Sequence, residues 1–190
     1  MKRTQDGQSP GYRSRRGITV LEVSLGIAVL VTAVLGFSKT MVMIEHAHQR
    51  TREVGLATQA ARQVLERIQA EAFPEAFRRY NGEPNDDPGG AGTAPGKNFA
   101  VPGLSAVAGD PDGLPGEVVF PCPPGQPGVL HEDVADPALG MPRDLNGDGV
   151  INGAVNYATT YSILPVRVRV RWVSSAGPGL VELRTMLGNY

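Results

Sequence analysis

The apolar and polar positions divide the chain into stretches of different character. Residues 1–17 are polar and basic; Ile18 to Ser38 is then an apolar run of 21 residues whose only charge is Glu22. About 20 apolar residues are enough to span a bilayer as a helix. From Ser38 to Ala72 there is no proline, and Ala, Gln, Glu, Arg and Leu dominate, all good helix formers. Ile44, Ala47, Thr51, Val54, Thr58, Ala61, Leu65, Ile68 and Ala72 are spaced by threes and fours. This spacing predicts one buried stripe, with Arg50, Glu53, Arg62, Glu66 and Glu71 largely off it. Pro74 terminates the run. The predicted helix therefore covers 18–72, roughly 80 Å at 1.5 Å per residue. Its half 18–38 is membrane-length and its half 39–72 is amphipathic.

The period then changes. Residues 81–128 are dense in glycine and proline, as in Asn81-Gly82-Glu83-Pro84 and Pro121-Cys122-Pro123-Pro124-Gly125, which predicts loops with Glu117 to Phe120 as a short strand. Ile163 to Val173 alternates, with Val166, Val168, Val170 and Trp172 on one face and Arg167, Arg169 and Arg171 on the other. A Ser/Gly/Pro turn over 174–179 leads into a second alternating run, Leu180 to Leu187. The two runs predict a hairpin over 163–187 that closes an antiparallel sheet against the helix. The fold class is α+β: a long N-terminal helix packed on a small antiparallel sheet domain, 73–190, with long Gly/Pro-rich loops.

Charge sharpens the picture. Residues 1–17 carry five cations against Asp6, which leaves 13 basic and 18 acidic residues, out of totals of 18 and 19, for the rest of the chain. A basic leader before the apolar run and an acidic body after it predict a cytoplasmic N-terminus and a body on the far side of the membrane. An acidic body also argues against nucleic acid as a main ligand, because phosphate binding needs clustered Lys and Arg. A carboxylate inside a membrane-length helix costs about 2.5–3.5 kcal/mol on insertion scales, so Glu22 marks a functional position with a partner. An ordinary secretory signal has a shorter apolar core and a small-residue cleavage site, which Gly36-Phe37-Ser38-Lys39 does not offer. A plain single-pass anchor fits the length but explains neither Glu22 nor the abrupt boundary at Gly17.

The segment Arg16-Gly17-Ile18-Thr19-Val20-Leu21-Glu22 resembles the N-terminus of type IV prepilins and pseudopilins. The resemblance is strong over roughly 13–72 and holds only in outline beyond. It implies cleavage of leader 1–17 after Gly17 by a prepilin peptidase and N-methylation of Ile18, although the family usually has Phe or Met at that position. It also implies that Glu22 guides assembly by pairing with the N-terminal ammonium of a neighbouring subunit. The expected fold is pilin-like. The expected function is that of a minor pilin or pseudopilin, a non-enzymatic structural subunit of a type IV pilus or type II secretion pseudopilus. The alternative is a filament-borne binding module, an adhesin or a DNA-uptake minor pilin. The implied partners are other pilins or pseudopilins in a helical filament, the peptidase/methylase and an inner-membrane assembly platform. The implied location is the bacterial inner membrane as a single-pass protein, with the C-terminal domain periplasmic or extracellular, and then the filament.

Elsewhere one constellation has chemical content. Asp144, Asn146, Asp148, the Val150 carbonyl and Asn152 occupy positions 1, 3, 5, 7 and 9 of an EF-hand-type calcium loop, with Gly149 at position 6. Position 12 is Val155 where a bidentate acid is expected, so the segment reads equally as a polar Asp/Asn/Gly turn. Calcium is the one cofactor the sequence nominates, with Asp133 or Asp136 as further ligands. Cys122 is the only cysteine and reads as a buried, inert thiol. His46 and His48 fall on different faces of a helix and read as solvated. The three strand arginines read as a solvated face that guards the sheet, with Glu182 across the hairpin. No nucleophile–base arrangement, H-E-x-x-H or phosphate-cradling loop is found, and His131-Glu132-Asp133 reads as a surface turn.

Overall fold

The computed structural model describes residues 18–189. In chain order the elements are α1 (Val20–Ala70), α2 (Phe73–Tyr80), β1 (Asn98–Phe99), β2 (Gly116–Val119), β3 (Ile163–Ser174) and β4 (Gly177–Gly188). The result is an α+β architecture, a long N-terminal helix packed on a small antiparallel sheet. The leader and Gly17 lie outside the described residues. The chain divides into two compact units between Ile44 and Glu45, within α1.

Thr19 starts α1. The amide of Glu22 donates to the Thr19 carbonyl at 3.0 Å and to its Oγ1 at 3.3 Å, which satisfies one of the free donors of the first turn. In the first unit the apolar side chains face outward, among them Leu25, Leu30 and Phe37. The hydroxyls of Ser24, Ser38 and Thr40 donate to the carbonyls of Val20, Val34 and Gly36 at 2.9, 2.9 and 3.1 Å. Hydroxyls that close back on their own helix leave no free polar atom to face hydrocarbon. Among the described residues, this helix alone is long and apolar enough to cross a membrane.

In the second unit the strands run in the order β1-β2-β3-β4, each pair antiparallel. Val168 stands opposite Val118 on one side and Leu183 on the other. Leu164, Val166, Val168, Val170 and Trp172 are buried, as the alternation predicts. Gly179 is required beside Trp172: a Cβ there would stand 2.2 Å from the indole ring.

Two expectations change. The face that α1 buries is Glu53, Ala57, Ala61, Val64 and Ile68, whereas Val54, on the predicted stripe, is exposed. Small side chains at 57 and 61 let the helix backbone approach the sheet closely. Glu53 is tolerated there because hydrogen bonds satisfy its carboxylate. The other change is α2, which pattern reading missed. Pro74 lies in its first turn, so the residue that ends α1 also opens the next helix. This helix buries Ala76, Phe77 and Tyr80, and Phe77 meets Phe120 edge-on at 5.2 Å.

Candidate functional site

Two candidate sites lie far apart in sequence. At the N-terminal one, Ile18 lies two residues before α1 and Glu22 sits in its first turn, both exposed. The helix dipole favours a carboxylate at this position, by about 0.3–1 kcal/mol. The Glu22 amide is engaged by Thr19, yet its carboxylate makes no hydrogen bond or ion pair among the described residues. Gly17, the residue before the expected cleavage, is outside them.

The second candidate is the loop 144–155. Asp144 accepts from the amides of Gly147 and Gly149, both at 2.7 Å. Asn146 accepts from Asp148 at 3.0 Å, Asp148 from Val150 at 2.8 Å, and Asn152 from Ala154 at 2.8 Å. The Gly149 amide above all holds the Asp144 carboxyl below the usual carboxylate range. The four loop side chains nominated as calcium ligands thus fold the loop by bonding its own backbone, whereas Asp136 accepts from the Ala138 amide and pairs with Arg167. Val155, where a bidentate acid is expected, is exposed; Asp133 lies against Gly153, yet among the described residues no three His, Cys, Asp or Glu side chains gather as a metal site. The arrangement is half a calcium loop whose turns are closed by Asx hydrogen bonds.

The group that organises this loop is one the sequence placed on the surface. Glu132 is fully buried; its Oε1 accepts from the Leu145 amide at 2.7 Å and its Oε2 from the Asn152 amide at 2.9 Å. Its carbonyl accepts from Arg143 at 3.0 Å. The phenol of Tyr157 is pushed above its ordinary pKa, first by burial and then by the neighbouring Glu132 carboxylate. Asp133 is exposed, as expected of a surface turn, so adjacent acids have opposite environments.

The arginine face is also not solvated as expected. Arg167 pairs with Asp136 at 3.1 Å, Arg169 with Glu117, and Arg171 with Asp110 at 3.7 Å. Glu117 comes from the neighbouring strand β2, Asp110 and Asp136 from segments outside the strands, and Glu182 pairs with Arg184 at 3.0 Å instead of with the ladder. The ladder's charges are paired within the domain, with Arg167 the most enclosed and Arg171 still partly exposed. His46 and His48 are exposed on α1.

Cys122 is half-buried, and its Sγ donates to the Pro127 carbonyl at 3.3 Å. Burial pushes the thiol up to about 12. At pH 8 the thiolate fraction is then roughly one in ten thousand. Iodoacetamide is therefore expected to leave the folded protein unlabelled at pH 8 and to label it once denatured, as read by intact mass. Prompt labelling of the native protein would show the thiol to be open.

The chain matches no protein-family model, no curated protein and no solved structure.

Proposed function

We propose that the chain is a minor pilin or pseudopilin, a structural subunit of an inner-membrane-rooted filament of the type IV pilus or type II secretion kind. The observation that carries this reading is a single acid, Glu22, in the first turn of a helix otherwise apolar from Ile18 to Ser38, directly after a basic leader ending in glycine. A long helix on a small antiparallel sheet supports it. So does the exposed Glu22 carboxylate, which has no partner among the described residues of its own chain.

The mechanism follows from charge. Cleavage after Gly17 creates an ammonium at Ile18, and a methyl group there keeps the positive charge. In lipid, an ammonium and a carboxylate are each costly alone and tolerable together. Glu22 of an incoming subunit meets the ammonium of one already placed, and the pairing sets the axial step between them. A contact of this head-to-tail kind does not close on itself, so it propagates as an open helical stack.

Intact-mass analysis of the protein isolated from membranes of its own host tests the reading. The expected mature chain begins at Ile18, with the mass of one methyl group added. A mature chain that still carries residues 1–17, or begins elsewhere, would remove the ammonium and with it the proposal.

A further inference from the structure

Where α1 first meets the sheet, its grip is polar. Glu53 Oε2 accepts from Trp172 Nε1 at 3.0 Å and from Ser174 Oγ at 2.8 Å. One turn earlier, Gln49 Nε2 donates to Glu53 Oε1 at 3.0 Å, and Gln49 Oε1 accepts from Ser175 Oγ at 2.9 Å. Two helix residues thus clasp the turn between β3 and β4. The indole N–H of Trp172, followed by Ser174 and Gln49, holds the Glu53 carboxyl below the usual range, against the opposing effect of burial.

Apolar packing contributes little over the same stretch. Residues 45–52 are exposed apart from Gln49, which is half-buried. Ala57 and Ala61 are fully buried but offer one methyl each, and Leu56 is only half-buried. The first larger aliphatic side chain buried from α1 is Val64, followed by Ile68. Further apolar area comes from α2, through Phe77 and Tyr80. A segment with few buried apolar contacts opens more easily than the core beside it.

We propose that Gln49 and Glu53 form a separable joint: opening of this clasp releases the helix segment 45–60 from the hairpin while 64–68, α2 and the sheet stay folded. The joint concerns the domain alone, so it stands or falls separately from the filament reading. Its physical basis is an asymmetry. Once the carboxylate is gone, the buried indole N–H is left without an acceptor, the Ser174 hydroxyl keeps only the longer 3.3 Å bond to the Gly177 carbonyl, and two alanine methyls do not hold the helix in place.

Hydrogen exchange read by mass spectrometry on the full chain in detergent micelles tests this, comparing the wild type with Glu53→Ala and the milder Ser174→Ala. Amides of 49–60 are expected to exchange about tenfold faster or more in Glu53→Ala, and by a smaller factor in Ser174→Ala, as for buried hydrogen bonds lost. Amides of 64–68 and β3 are expected to keep their protection. Trp172 is the only tryptophan, so a shift of its emission in both variants reports the clasp directly. If protection falls equally across helix and sheet, Glu53 serves global stability and there is no joint. If Ser174→Ala leaves both exchange and emission unchanged, the clasp does not hold the helix and the proposal is overturned.

Discussion

Glu132→Ala is expected to destabilise the globular domain by about 2–4 kcal/mol, because it leaves the buried Leu145 amide, and with it the partly buried Asn152 amide, without their charged acceptor. Each unsatisfied buried donor costs about 1–3 kcal/mol, and no water reaches a side chain that is fully buried. Against a typical domain stability of about 5–15 kcal/mol, the loss is large. It corresponds to a fall in melting temperature of roughly 10 °C for a domain of this size. Thermal melting followed by Trp172 emission measures it. Asp133→Ala is the control, since that acid is exposed and its only ion pair among the described residues is a 3.8 Å contact with His131. Glu132→Gln keeps one acceptor and should fall between the two. Were Glu132→Ala to melt together with Asp133→Ala, the buried carboxylate would not be what holds the loop 144–155.

Glu132 and Glu53 also mark where reading from sequence fails, and for a shared reason. Periodicity assigns a carboxylate to the surface because burying a charge is costly. That cost vanishes from view when the partners lie far away in the chain: 13 and 20 residues for Glu132, 119 and 121 for Glu53. One signal for Glu53 was available. Trp172 sits on the buried face of an alternating strand, and a buried indole N–H needs an acceptor. Nothing local distinguishes Glu132 from its neighbours His131 and Asp133. The arginine ladder fails in the same way, because its acids lie far off in the chain, Asp110 and Asp136 outside the strands and Glu117 on β2 opposite Arg169. By contrast, the hairpin and the long helix were legible, because each rests on a repeat within a single segment. The Asp144–Asn152 loop lies between these cases. Its Asx turns are local and legible, whereas the acid that anchors them from beneath is not.

Glu22→Ala is expected to lower incorporation into the proposed filament by roughly a hundredfold or more, the factor for about 3 kcal/mol lost when one member of a buried ion pair is removed. The sign on insertion is opposite. Taking a lone carboxylate out of an apolar helix relieves about 2.5–3.5 kcal/mol on insertion scales, so the variant should accumulate in the membrane at least as well as the wild type. Full membrane content with an empty filament is therefore the expected signature, read by immunoblotting the sheared filament fraction against the membrane fraction. Capping of α1 by Thr19 offers a competing role for this turn, and Thr19→Ala separates the two. That change removes the Oγ1 acceptor for the Glu22 amide without touching the carboxylate, and loss of a cap of this kind costs about 1 kcal/mol. If capping were the purpose, Thr19→Ala and Glu22→Ala would reduce incorporation alike. If charge pairing is the purpose, Thr19→Ala stays near wild type and only Glu22→Ala leaves the filament fraction empty. Glu22→Gln keeps the shape and can accept a hydrogen bond but carries no charge, so it belongs with alanine. Wild-type incorporation of Glu22→Gln would mean that an uncharged acceptor suffices, and the ion pair at the centre of the mechanism would have to be given up.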